Sequence, residues 1–99
     1  MMREELQRAR TLQQKIRAIL LEEWDPIGVI EIPDARDEYD GYVPDIYAIL
    51  ISQKPINDVF DYLLWAEAEH MGLTVNRQRT QRISEQLFAL TARPISKTD

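Results

Sequence analysis

The sequence has no cysteine, a single histidine and only three glycines in 99 residues. Without cysteine, disulfides, thiolate zinc sites, iron–sulfur clusters and a cysteine nucleophile are all excluded. One histidine is too few for the paired Glu-x-x-His motifs that a di-iron helical bundle requires within one chain. The glycines do not form a phosphate-binding loop, and no Gly-x-Ser-x-Gly elbow is present. We therefore expect no cofactor, and catalysis is disfavoured.

Long apolar runs are missing as well. The longest run, Ile46 to Ile51, is far shorter than the ~20 residues that a helix needs to span a bilayer. The N-terminal residues MMREELQRAR are charged and lack the apolar centre of a signal peptide. These two observations predict a cytoplasmic location and no association with membranes.

Basic residues are scarce in the middle of the chain. Residues 25–70 contain two basic and eleven acidic residues, which gives a charge of −9 within a total of −5. A surface of this sign repels phosphate, so nucleic acid is not an expected partner. Arginines gather only near the start of the last predicted helix, and no aromatic residues alternate with them for base stacking. The charge pattern suits a basic protein partner better.

Apolar residues spaced three and four positions apart predict four helices. The first runs from Arg3 to Trp24 and ends at the Asp-Pro pair that follows, because the residue before a proline disfavours the α conformation. The second begins near Asp40 or Pro44. It is apolar nearly all round, which is typical of the most buried helix in a domain.

The third helix is predicted from about Pro55 to Met71, with Gly72 as the left-handed residue that often follows a helix. Asn76 is a good cap for the fourth helix, and Pro94 ends regular structure. The predicted fold class is all-α. It is a bundle-like four-helix single domain over residues 1–93, with a flexible tail at residues 94–99.

A long, ordered crossover loop is predicted between the first two helices. We call residues 24–40 the crossover segment. The stretch 24–47 that contains it holds three of the five prolines, three of the four tyrosines and seven of the seventeen acidic residues. A weak apolar alternation from Val29 to Asp34 allows a short extended piece, which Pro33 would restrict to a sheet edge.

The crossover segment and the start of the second helix form the predicted recognition surface. Tyrosines bury a large rigid area while keeping a polar tip, so two of them are expected to anchor a partner among surrounding carboxylates. A calcium loop is a weaker hypothesis, because DARDEYDGY lacks the order of an EF-hand. A solvated acidic loop, partly paired with Arg36 or an arginine of the fourth helix, is the simpler alternative. The predicted partner-binding residues are Asp34, Asp37, Glu38, Tyr39, Asp40 and Tyr42.

Glu67 and His70 fall on the predicted inner face of the third helix, where apolar residues are expected. An unpaired buried polar group costs ~1–3 kcal/mol, so each is expected to find a partner. We predict a structural polar clamp in which one or both residues hold the crossover segment. The alternative is a carboxylate–histidine metal site or small enzyme site, for which a homodimer would supply the second Glu-x-x-His motif.

Three stretches carry a resemblance: WDPIG at 24–28, DEYDGYVPDIYAIL at 37–50 and EAEHMGL at 67–73. Together they resemble a family of small bacterial helical proteins that is catalogued only as a domain of unknown function. The resemblance implies an all-helical fold of about this size, with W-D-P-I-G and D-E-Y-x-x-Y-x-P-x-I-Y as its signature. It implies no activity, ligand or catalytic residue.

The sequence thus favours a small acidic module that binds a protein partner. In its strongest form this hypothesis describes an inhibitor or immunity-like protein for a basic partner, by analogy with other small acidic helical proteins. Two alternatives stay open: the metal or enzyme site just described, and a structural subunit that binds copies of itself.

Overall fold

A computed structural model describes residues 2–35 and 37–91 of the chain. Within these ranges it contains four α-helices and no strand. The helices are α1 (Met2–Ile19), α2 (Val43–Ile51), α3 (Ile56–Trp65) and α4 (Arg77–Ala89). The expected tail at residues 94–99 lies outside the described residues, as does the end of the predicted domain at 92–93.

The helices pack in a closed order, in which α1 contacts α2 and α4, and α3 contacts the same two helices. The core lies between them and includes Ile16, Ile46, Leu63 and Leu87, which are all fully buried. Burying one such aliphatic side chain stabilises the fold by ~1.5–3 kcal/mol. The all-α class predicted from the apolar spacing is therefore confirmed in the described residues, and the packing of the four helices is consistent with a bundle-like arrangement.

Two helices end in a π-helical turn. Helix α1 continues as a π turn at Leu20–Trp24, and α3 continues as a π turn at Ala66–His70. A π turn holds more residues than an α turn, so it shifts every later side chain around the helix axis. Because of the second π turn, Glu67 and His70 do not share a buried face. Glu67 is 6% exposed, whereas His70 is exposed, and Met71 packs against the core in its place.

The predicted helix ends agree with the structure at three places. Asp25 leaves the helical conformation with φ of 28°, and Gly72 adopts the left-handed conformation with φ of 70°. The Oδ1 atom of Asn76 accepts a hydrogen bond from the backbone N–H of Arg79 at 3.1 Å, which caps α4. These signals are local, and the local sequence was enough to predict them.

Two helices leave part of their apolar surface exposed. Helix α2, expected to be the most buried helix, buries Val43, Ile46 and Leu50, while Ile51 is 52% exposed. It packs against α1 and α3. Near the start of α1, Leu6 is 55% exposed.

The segment between α1 and α2 contains no strand among its described residues. It consists of 3₁₀ turns at Val29–Glu31, Pro33–Ala35 and Asp40–Tyr42. The short extended piece suggested by the alternation from Val29 to Asp34 is therefore wrong. An extended segment without a neighbouring strand has no hydrogen-bond partners for its backbone N–H and C=O groups. Consecutive turns instead pair these groups with one another within the segment.

Candidate functional site

Glu67 is the centre of a buried polar network between α1, α3 and α4. Its carboxylate accepts a hydrogen bond from Trp24 Nε1 at 2.5 Å. The Thr80 hydroxyl lies 2.9 and 3.1 Å from the two carboxylate oxygens and 3.0 Å from the Asn76 carbonyl. One hydroxyl proton serves one acceptor at a time, so Thr80 has an alternative acceptor. Trp24 and Thr80 are both almost completely buried.

The hydrogen bond between Trp24 and Glu67 thus links the crossover segment, of which Trp24 is the first residue, to the π turn that continues the third helix. The two partners lie 43 positions apart in the sequence. Helix α4 contacts the backbone at the same place. The Arg79 guanidinium donates to the backbone carbonyl of Glu23 at 3.2 Å and to that of Trp24. Helix ends leave carbonyls without intrahelical donors, and a cation there also interacts favourably with the helix dipole. The π turn at the end of α1 is therefore fixed from two helices.

A cavity of about 160 Å³ opens beside this network. Its lining residues come from three parts of the chain: Pro26, Glu67, Leu73, Thr74, Asn76, Arg79 and Thr80. Both charged groups in the lining already have hydrogen-bond partners within the protein, Glu67 through Trp24 and Arg79 through the backbone. The structure therefore gives these groups a role in packing the helices together.

His70 has a different set of neighbours. Its Nδ1 lies 2.6 Å from the Tyr42 hydroxyl, and its ring stacks on Trp65 with centroids 5.2 Å apart and planes at 18°. Glu67 and His70 therefore share no hydrogen-bond partner, although the Tyr42 and Trp24 rings meet edge to face at 5.7 Å. Each of the two residues contacts one end of the segment that joins α1 to α2. Whether these contacts act as the predicted clamp is a question of stability, which is addressed in the Discussion.

The start and the end of the crossover segment are joined by a second network. The Tyr39 hydroxyl donates to Asp25 Oδ1 at 2.8 Å and accepts from the backbone N–H of Ile27 at 3.1 Å. Asp25 Oδ1 also accepts from the Val29 N–H at 2.7 Å. The WDPIG stretch and the DEY stretch are therefore in direct contact. Burial, together with the nearby Asp25 carboxylate, raises the pKa of Tyr39 above its ordinary value.

The two tyrosines of the predicted surface do not lie on the surface. Tyr39 is 1% exposed and Tyr42 is 9% exposed, and both rings contact Trp24. Their expected role as exposed anchors for a partner is corrected accordingly: a tyrosine gains more by burying its ring in a core that also satisfies its hydroxyl. Burial and the charge of Glu38 raise the pKa of Tyr42.

The carboxylates of the predicted surface are exposed. Asp34, Asp37, Glu38 and Asp40 all face solvent. Asp40 pairs with Arg17 of α1 at 2.7 Å, and both side chains are close to half exposed. Among the described residues, the other three carboxylates form no ion pair. The predicted partner Arg36 lies outside the described residues.

Apolar side chains are exposed in the same segment. Ile27 is 44% exposed and Ile32 is 52% exposed. From the sequence, isoleucines in a loop of this length are expected to pack beneath it. For Ile27 and Ile32 that expectation is wrong, since both stay exposed. Trp65 of α3 is 45% exposed, although a tryptophan on an amphipathic helix is usually a core or boundary residue. A tryptophan beside acidic residues on a helix was the available signal.

No helix in the described part of the chain is both long and apolar enough to cross a membrane. Within residues 2–35 and 37–91, no three His, Asp or Glu side chains come together in a way that could hold a metal ion. Comparison of the chain with protein-family models, with curated proteins and with solved structures finds no match. The resemblance drawn from the three motif stretches accordingly stays an expectation.

Proposed function

We propose that this protein is a small acidic module that binds a basic protein partner through the exposed face of its crossover segment. The observation that carries the proposal is a contrast between buried and exposed side chains in this part of the chain. Tyr39, within the segment, and Tyr42, just after it, are buried against Trp24, whereas Asp34, Asp37 and Glu38 face solvent. The three carboxylates therefore belong to a segment whose last residues pack on the core and leave its acids accessible.

Carboxylates on a segment that packs on the core suit recognition, because less of the backbone has to be ordered on binding. Ordering one flexible side chain or loop residue costs free energy that a preorganised surface saves. The charge of −9 on residues 25–70 also attracts a basic partner over several ångströms and raises the rate of encounter. The exposed Ile27 and Ile32 add apolar area to the same segment, which charge alone does not provide.

A sign reversal within the crossover segment tests the proposal. Asp37→Lys combined with Glu38→Lys is compared with wild type in capture experiments from the cells that make the protein. The expected result is loss of a basic partner that wild type retains. Binding of the isolated partner to wild type should also weaken as salt is added, because exposed charges are screened.

The matched control reverses Glu4 and Glu5, which lie in the first turn of α1 and are exposed. This variant changes the net charge by the same amount but leaves the crossover segment intact. It should retain the partner. Equal binding by wild type and both variants would refute the proposed surface. An apparent mass that rises with protein concentration, and falls only in the crossover variant, would show that the partner is a second copy of the chain.

If the partner is an enzyme or toxin, the inhibitor form of the hypothesis makes a further prediction. Wild type would lower the partner's activity at equimolar concentration, and the crossover variant would not. A partner that binds but keeps its full activity would contradict this form while leaving the binding module in place.

A further inference from the structure

Trp65 is unusual because it is a large aromatic residue that stays close to half exposed on a helix. It is 45% exposed, although it belongs to α3 between residues of the core. Two other aromatic groups contact part of its ring. Tyr62 is 5.6 Å away between ring centroids, and His70 stacks on the indole at 5.2 Å. We call Tyr62, Trp65 and His70 the aromatic row.

Two polar contacts hold the outer members of the aromatic row. The Tyr62 hydroxyl donates to Asp45 at 2.7 Å, and the Tyr42 hydroxyl lies 2.6 Å from His70 Nδ1. Tyr42 and Tyr62 also meet edge to face at 6.4 Å. Burial and the Asp45 carboxylate together raise the pKa of Tyr62. The exposed part of the indole is therefore presented by a supported side chain with little freedom left to lose.

Carboxylates lie on both sides of the indole along the helix. Asp61 precedes Trp65 by four positions and Glu69 follows it by four, and both are exposed. On an α-helix, residues four apart occupy the same face, with Cβ atoms ~5–6 Å apart, which places Asp61 beside Trp65. Glu69 lies in the π turn, which holds more residues than an α turn, so it follows Trp65 by slightly less than one turn. Among the described residues, neither carboxylate is in an ion pair. An aromatic surface flanked by two free carboxylates attracts a cation.

One end of the aromatic row lies close to the end of the crossover segment. The hydroxyl of Tyr42, two residues after that segment, lies 2.6 Å from His70 Nδ1. A basic segment that binds the crossover acids and extends past Tyr42 would therefore pass close to the aromatic row.

We propose that Trp65 is the anchor for an arginine side chain of the basic partner, with Asp61 and Glu69 as its carboxylate partners. This inference rests on the proposed function and names the chemistry that the partner supplies. A guanidinium is planar and weakly hydrated, so it stacks on an indole while its N–H groups donate to carboxylates. An ammonium is compact and strongly hydrated, and it gains less from the same surface. Tryptophan and arginine are also the residue types that dominate the binding energy of protein interfaces.

The test uses the full-length protein and two short peptides of equal length and charge, one rich in arginine and one rich in lysine. Wild type is expected to bind the arginine peptide more tightly than the lysine peptide. Trp65→Leu should lose roughly twofold to thirtyfold in affinity for the arginine peptide, the range that one cation–π contact supports. It should also lose the preference for arginine. Ile51→Ala, which truncates another half-exposed apolar residue on α2, is the matched control and should change neither.

A second measurement does not depend on any variant. The two indole N–H groups differ, because Trp24 is buried and bonded to Glu67 whereas Trp65 is half exposed. Titration with the arginine peptide, followed by nuclear magnetic resonance, should shift the Trp65 signal and leave that of Trp24 nearly unchanged. An unmoved Trp65 signal, or equal affinity of wild type for the two peptides, would overturn the arginine anchor.

The outcomes separate this inference from the proposed function. If Trp65→Leu binds the arginine peptide as wild type does, but the Asp37→Lys, Glu38→Lys variant does not, the acidic surface stands and the anchor is wrong. If Trp65→Leu weakens binding and the sign reversal has no effect, the anchor stands and the crossover segment is not the recognition surface.

Discussion

Replacing Glu67 with alanine should remove the buried link between α3 and the crossover segment. The carboxylate is 6% exposed and is the acceptor for the Trp24 N–H. After Glu67→Ala, Thr80 can still donate to the Asn76 carbonyl, but residues 2–35 and 37–91 offer no second acceptor for the buried indole. One unsatisfied buried donor costs ~1–3 kcal/mol, and hydrogen bonds to a charged group contribute ~1.5–3 kcal/mol.

These losses are partly offset because the alanine variant no longer has to bury a carboxylate. We therefore expect the free energy of unfolding to fall by about 2–3 kcal/mol. Glu67→Gln should cost less, about 1 kcal/mol, since an amide oxygen can still accept from the indole. The measurement is urea denaturation monitored by circular dichroism. The m-value, the slope of the free energy of unfolding against urea concentration, should be the same in wild type and variants.

Glu69→Ala is the matched control, because Glu69 lies two positions away on the same turn and is exposed. It should stay within about 0.5 kcal/mol of wild type. His70→Ala removes the contact with the Tyr42 hydroxyl and should cost about 1 kcal/mol. If Glu67→Ala and His70→Ala both leave the stability within about 0.5 kcal/mol of wild type, the clamp does not exist and the reasoning above is refuted.

Three further predictions concern the same region. Because burial raises the pKa of Tyr39, the folded state keeps a proton that the unfolded state releases near pH 10. The free energy of unfolding should therefore fall as pH rises above that value, by up to about 1.4 kcal/mol per pH unit for this one group. In Tyr39→Phe the urea midpoint should fall less steeply with pH than in wild type. Gly28→Ala should cost about 1–2 kcal/mol because its φ is +73°, whereas Gly41→Ala, with open space and an ordinary φ, should cost less than half as much in the same denaturation assay. Arg79→Ala should cost about 1–2 kcal/mol by freeing the carbonyls that end the first helix; unchanged hydrogen-exchange protection of the residues before Trp24 would contradict this.

Much of the secondary structure could be read from the sequence alone. Helical periodicity, the Asp-Pro stop, Gly72 and the Asn76 cap each depend on residues within one or two turns of one another, so their conformations follow from local sterics and hydrogen bonding. The acidic character of residues 25–70 is likewise a property of composition, and the exposure of Asp34, Asp37 and Glu38 follows because isolated carboxylates are costly to bury.

The candidate sites depended on contacts between residues far apart in the sequence. Periodicity placed Glu67 and His70 on one inner face, but the π turn at Ala66–His70 rotated His70 outward, and period alone does not reveal such a turn. Tyr39 and Tyr42 were expected outside, yet Trp24 and the surrounding helices gave their rings a core to enter.

The sequence by itself determined which segments are helical, where they stop and which part of the chain is negatively charged. Only the tertiary structure decided that Trp24 meets Glu67, that the two tyrosines are buried and that Trp65 is left exposed between carboxylates. The physical reason is range. Backbone conformation responds to neighbours a few residues away, whereas the partner of a buried polar group is set by which helices pack together to remove the most apolar surface from water.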